Sequence, residues 1–335
     1  MSSEFRFDPL HRRWVIISRQ RASRPNDFRA VRYEQCSSDD CPFCEGNEHE
    51  TPPELFAVRA GSSPPNGPGW TLRVVPNRYP AVSEERLSGF GRHEVVVETN
   101  EHGGRLDELD PAQQLTVVRA YRDRVRELSA DERVNYVVVF RNSGPKSGAS
   151  LVHPHTQIMA LKQVPPAMET ELLALGDHLS ECGRCLACDL VESELLASRR
   201  VLSGEGEFVS YLPYAGRFPG EMIVTSRGHP VPFGQLEEDQ LGRLTPVLMD
   251  ALSRAQRALG HPSFNWIMHT ATDGSVSGGH HWRFELIPRL GQLGGFELST
   301  GMYINSAPPE MVAERFRDPE NASWSFCRPD RKGGE

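Results

Sequence analysis

Five of the seven cysteines and several of the twelve histidines fall in short clusters that could do chemistry. Cys41 and Cys44 stand in DDCPFCEGNE, and Cys182, Cys185 and Cys188 in SECGRCLACDLVE; Cys36 and Cys327 stand apart. A Cys-x-x-Cys puts two thiolates on one tight turn, half the ligand set of a tetrahedral zinc ion. A redox dithiol is the rival, but neither pair follows a strand and opens a helix as thioredoxin-like dithiols do. The other reactive cluster is His153-Pro-His155-Thr-Gln157. On a strand, residues two apart share a face, so His153, His155 and Gln157 are expected to point one way. Pro154 cannot donate to a ladder, which predicts an edge or a strand entrance open to a ligand. A neutral imidazole at His155 could attack phosphorus and split a group transfer into two steps. Gln157 can bind a phosphoryl oxygen but cannot give up a proton, which suits a leaving group of low pKa such as a sugar phosphate.

The elements that position these residues repeat. Each Cys cluster precedes an apolar strand that ends near a histidine, His102 after HEVVVETN and His229 after EMIVTSRG. An amphipathic helix follows, with Leu115, Val118, Tyr121, Val125 and Leu128 on one face in the first half, and Leu241, Leu244, Leu248 and Leu252 in the second. Asp110-Pro111 supplies a helix start and Gly260 a stop. A further histidine lies 51 residues beyond His102, at His153, and 52 beyond His229, at His281. Singly, His102 and His229 would read as polar turn residues; the equal spacing makes them ligands. Two sets of four are expected, Cys41, Cys44, His102, His153 and Cys185, Cys188, His229, His281. Cys182 competes with Cys188, and His280 with His281. The repeat predicts an α+β fold of two duplicated domains, each an antiparallel sheet with a packed helix: 1–170 catalytic, 171–317 silent, and a polar tail over 318–335 in which Cys327 is a free thiol.

Upstream of His155, Asn142-Ser-Gly-Pro-Lys146-Ser-Gly148-Ala-Ser150 is a Gly/Ser-rich loop. Alone it would be a turn; beside His155 its amides and Lys146 form a phosphate cradle without the spacing of a P-loop. The 335 residues carry 37 Lys+Arg and 45 Asp+Glu, a net charge of −8 that argues against a nucleic-acid binder. The N-terminus lacks the apolar stretch of a signal peptide and no window approaches a spanning helix, so a cytoplasmic protein is expected.

RFDPLHRRWVIISRQRASRP, CPFC, VVPNRYP, FRNSGPKSGASLVHPHTQ and GFELSTGMYIN together resemble the galactose-1-phosphate uridylyltransferase family of the histidine-triad superfamily, over nearly the whole chain. The resemblance implies two histidine-triad-like domains, commonly in a homodimer, acting on a nucleotide sugar and a sugar 1-phosphate. It implies that His155 is the nucleophile that becomes nucleotidylated, that His153 ligates zinc and orients it, and that Gln157 binds phosphoryl oxygens. Arg21 and Arg24 match a phosphate-contacting pair, Asn77 a nucleotide-site asparagine, and Asn142, Gly148 and Ser150 the phosphate loop. Arg283 stands at the position equivalent to the nucleophile and, being permanently protonated, cannot attack. Some relatives bind iron in the second half; the Cys185/Cys188 pair resembles the branch with a second zinc, which includes enzymes acting on ADP-glucose. The first expectation is uridylyl transfer from UDP-glucose to a hexose 1-phosphate. An ADP-glucose adenylyltransferase or phosphorylase using inorganic phosphate is the second, and a zinc-stabilised nucleotide-binding module without turnover the third.

Overall fold

The computed structural model describes residues 3–23, 37–59, 61–85, 90–270 and 281–318. Arg24, Cys36, His280, Cys327 and the tail beyond Asp318 lie outside them. In chain order the elements are β1 (Glu4–Asp8), β2 (Arg13–Ile17), β3 (Phe56–Arg59), β4 (Trp70–Pro76), β5 (Gly91–Val97), α1 (Pro111–Ser129), β6 (Tyr136–Ser143) and β7 (His155–Leu161). They continue with α2 (Pro166–Cys182), α3 (Leu186–Ala197), β8 (Val201–Ser203), β9 (Phe208–Tyr211), β10 (Met222–Ser226), α4 (Glu238–Leu259), β11 (Phe264–His269) and β12 (Arg283–Pro288). The chain closes with α5 (Gly295–Thr300), β13 (Tyr303–Asn305) and α6 (Pro309–Arg317).

Ten strands form one antiparallel sheet in the order β3-β4-β5-β7-β6-β11-β12-β10-β9-β8, so the fold is α+β. The order runs symmetrically outward from the β6–β11 pair, and that pair makes the sheet continuous between the halves. A smaller sheet joins β1, β2 and, in parallel, β13.

One face of the large sheet carries the core. Val96, Ile158, Val139, Met268, Phe284 and Val224 alternate toward α1 and α4, whose buried residues include Val118, Tyr121, Val125, Leu244, Leu248 and Leu252. Truncating such a residue, for example Leu248→Ala, costs about 2–5 kcal/mol in lost burial and cavity. Asp110 caps α1 by accepting from the N–H groups of Ala112 and Gln113, and Gly260 ends α4 in the left-handed region at φ 68°. Among the described residues, no helix is long and apolar enough to cross a membrane.

The opposite face, freed by the same strand alternation, carries the candidate site residues. His155 and Gln157 lie on it with Val95 and Val97, their neighbours across β5.

Candidate active site and metal centres

His155 is the first residue of β7, which runs between β5 and β6. The segment is therefore a strand entrance in the sheet interior and not an edge: Pro154 precedes the ladder, and its carbonyl accepts from the Glu98 N–H at 3.2 Å. His153 sits on the bend before the strand and not on its face, a correction to the three-in-a-row expectation. Thr156 points the other way and anchors the strand. Its hydroxyl donates to Glu98 Oε1 at 2.5 Å and lies 2.9 Å from the Tyr121 hydroxyl of α1, while Arg141 pairs with the same Glu98 carboxylate. A buried ion pair needs such extra hydrogen bonds to offset desolvation. The result is a rigid support behind His155.

The His155 imidazole is 6% exposed. Its Nδ1 lies 2.8 Å from the His153 carbonyl, an acceptor only, so Nδ1 carries the proton and Nε2 keeps a lone pair. Burial lowers the His155 pKa below the ordinary 6.5; the His153 carbonyl opposes this and the Arg141 charge adds to it. The Phe43 ring of the CPFC turn stands 5.2 Å from the His155 ring, tying the cysteine turn to it.

Cys41, Cys44, His102 and His153 converge, one donor atom from each, all within 4.8 Å of one another. Cys44 Sγ lies 3.3 Å from His102 Nδ1 and 3.5 Å from His153 Nδ1. A tetrahedral ion with ordinary Zn–S and Zn–N lengths separates its ligand atoms by about 3.3–3.8 Å, so the donor set fits. His153 Nε2 donates to the Thr99 carbonyl at 2.8 Å, which leaves Nδ1 for the ion. Cys185, Cys188, His229 and His281 form the second such group, with Cys188 Sγ 3.1 Å from His281 Nε2 and 3.8 Å from His229 Nδ1. Cys182 is exposed at the end of α2 and outside that group. Burial and the neighbouring Cys185 push the Cys188 thiol up to about 12. The first group is largely buried; the second is half-exposed, with His229 at the surface.

Around His155, Gln157 Oε1 lies 2.9 Å from His93 Nε2, and Asn77 Nδ2 lies 3.2 Å from that same nitrogen. Asn142, on β6, is held through Oδ1 by Asn265 Nδ2 of β11 at 2.8 Å. Gly148 adopts φ +87°, a left-handed conformation open to glycine, and Gly144 adopts φ +81° where a Cβ would meet Ser263 Oγ at 2.5 Å. Both glycines are thus required by the loop. Lys146 and Ser150 are exposed on it. Arg21 is exposed in the turn Arg19–Ser23 after β2 and, among the described residues, shares no hydrogen bond with Asn77, Asn142 or Gln157. His93 and Asn265 escaped the sequence reading. The only signal was position: each stands on a strand face whose neighbour becomes known once the strands pair.

Arg283 opens β12 as His155 opens β7. Its guanidinium grips Glu171 of α2 at 2.7 and 2.9 Å, and Nη2 donates to His11 Nε2 at 3.0 Å. Burial opposes its charge, but Glu171 and Glu285 raise its pKa further, so it stays a cation. The equivalent point in the second half is filled by a closed ion pair.

Comparison with known proteins accords with this geometry. Residues 81–165, which hold His93, His102 and the loop through Gln157, match the model of the galactose-1-phosphate uridyl transferase N-terminal domain. The chain is 34% identical to an ADP-glucose phosphorylase of Arabidopsis thaliana, over 95% of this chain and 93% of that one. It is 27% identical to a galactose-1-phosphate uridylyltransferase of Thermotoga maritima, over 95% and 98%. A crystal structure of an Arabidopsis thaliana ADP-glucose phosphorylase with bound ADP-glucose superimposes with a TM-score of 0.82 at 35% identity, covering 95% of this chain and 99% of that one. A likeness of this identity, maintained end to end, places the chain in the galactose-1-phosphate uridylyltransferase family.

Proposed function

We propose that the protein transfers a nucleoside monophosphate from a nucleotide sugar through a covalent intermediate on His155, and that ADP-glucose is the donor and inorganic phosphate the acceptor. The observation that carries the mechanism is the His155 imidazole, held neutral with Nδ1–H on the His153 carbonyl and Nε2 left to attack. Nε2 forms a bond to the α-phosphorus while the bond from phosphorus to the bridging oxygen breaks, releasing glucose 1-phosphate. A phosphate oxygen then attacks the adenylyl phosphorus, the P–N bond breaks, and ADP leaves with His155 restored. Gln157 donates hydrogen bonds to the nonbridging oxygens, and no acid is needed because the sugar phosphate departs as an anion. Asn77, Asn142 and the loop through Gly148 and Ser150 surround the phosphates, with Arg21 and Arg24 as further phosphate contacts.

The sequence alone put UDP-glucose first. The 34% identity to an ADP-glucose phosphorylase, against 27% to a uridylyltransferase, supports the reverse order. We assign zinc to both metal groups, since two thiolates and two imidazoles at tetrahedral spacing suit it better than iron. The zinc would hold the CPFC turn against the His153 bend and so fix the carbonyl that orients His155. The second half, with Arg283 at the equivalent point, serves as support.

Incubating the chain with ADP-glucose or UDP-glucose and weighing the intact protein tests the proposal. The expected result is one adenylyl group per chain, absent in His155→Asn. A uridylyl adduct without an adenylyl adduct would restore the first expectation, and turnover by His155→Asn would refute the covalent route.

A further inference from the structure

One backbone group determines which way the Asn142 amide beside His155 can face. On β11, Asn265 Nδ2 lies 3.0 Å from the Ser147 carbonyl, which can only accept, so that atom is the amide nitrogen. The Asn142 atom 2.8 Å away from it must then be oxygen. This assignment follows from backbone polarity and does not depend on telling amide oxygen from nitrogen directly.

The Asn142 oxygen is thus occupied and its NH2 group is left to donate. That nitrogen faces the phosphate loop, where a Cβ at Gly148 would lie 3.9 Å from it. A donor held in this way beside the loop favours a phosphoryl oxygen.

We infer that Asn265 is a positioning residue that holds the Asn142 amide with its N–H groups toward the phosphoryl group being transferred. The inference rests on the transfer proposed at His155. Asn265 also gives the second half a part in the first half's chemistry, since it comes from β11 and fixes both Asn142 and the loop at Ser147.

A double-mutant cycle tests it. Asn265→Leu is made in the wild-type and Asn142→Ala backgrounds, and single-turnover nucleotidylation and thermal midpoint are measured. In the wild-type background it should slow nucleotidylation at saturating donor about 10- to 100-fold, the range for a misdirected oxyanion donor. In the partner-less background the same change should cost less than about twofold. Asn265→Asp keeps the size but offers no N–H, and should be as slow as Asn265→Leu. Equal losses with and without the partner amide, or a loss seen in the thermal midpoint alone, would overturn the inference. A wild-type chain that forms no adduct would instead defeat the transfer reading. AMP affinity then decides the inference: Asn265→Leu should weaken AMP about tenfold in the wild-type background and not in Asn142→Ala, and equal weakening in both would overturn it.

Discussion

Acidification should leave the first transfer step intact until well below the ordinary imidazole range. On the proposed mechanism His155 attacks only as the neutral base, so the rate follows the fraction without the second proton. Burial removes water from the imidazolium, and the Arg141 charge disfavours it further; the His153 carbonyl offsets part of this, and the pKa stays below 6.5. At pH 6.5 more than half of His155 is therefore neutral, and the rate should lie within twofold of its plateau. Only below its own pKa should the rate fall toward tenfold per pH unit, equivalent to about 1.4 kcal/mol per unit. Rapid quenching of the donor reaction without phosphate, between pH 5 and 8.5, with the adduct read as intact mass, measures this. Arg141→Met should move the midpoint upward, because losing that charge and exposing His155 to the unpaired Glu98 carboxylate both favour imidazolium. The same change should cost about 3–5 kcal/mol of stability, the penalty of stranding a buried carboxylate. An acid limb centred at or above pH 6.5 in the wild type would refute the reasoning, as would a rate that rises on acidification.

Metal analysis should find two ions per chain, and Cys44→Ser or Cys188→Ser should each reduce the count to one. Because the second group is half-exposed and the first buried, a chelator should remove the second ion first, followed by elemental analysis against time. Asp8, held to about 2 by the His11 hydrogen bond and the charges of His11 and Arg13 against the opposing effect of burial, should support the fold at neutral pH. Its folded pKa lies below the unfolded value, so about 2 kcal/mol is present above pH 4 and lost as the pH falls toward 2; Asp8→Asn should flatten the acid side of a denaturation profile. Thr156→Val keeps the strand's shape but deletes the hydroxyl on Glu98, and should lower stability by about 1.5–3 kcal/mol in urea titration while leaving the adduct detectable.

Much of the site was legible before any tertiary structure. The Cys-x-x-Cys turns and the 51- and 52-residue spacings named both ligand groups, because a tetrahedral ion demands four soft or imidazole donors and a duplicated pattern rarely arises by chance. Strand alternation placed His155 and Gln157 together, and helix periodicity gave the buried faces of α1 and α4. Where local rules stopped short, pairing decided. Pro154 fitted an edge or a strand entrance, and strands on both sides of β7 make it the entrance, where a proline just before the first ladder bond loses nothing. His93 is 64 residues from Gln157, and Asn265 is 123 from Asn142; no local period links them. The sequence by itself determined which residues could bind metal and which histidine could attack, because those properties belong to side-chain types at short, repeated spacings. Only the tertiary structure decided that Cys188 and not Cys182 joins the second group, and which way the Asn142 amide faces. Hydrogen-bond polarity passes from backbone to side chain across paired strands, and strand pairing is a property of the whole sheet.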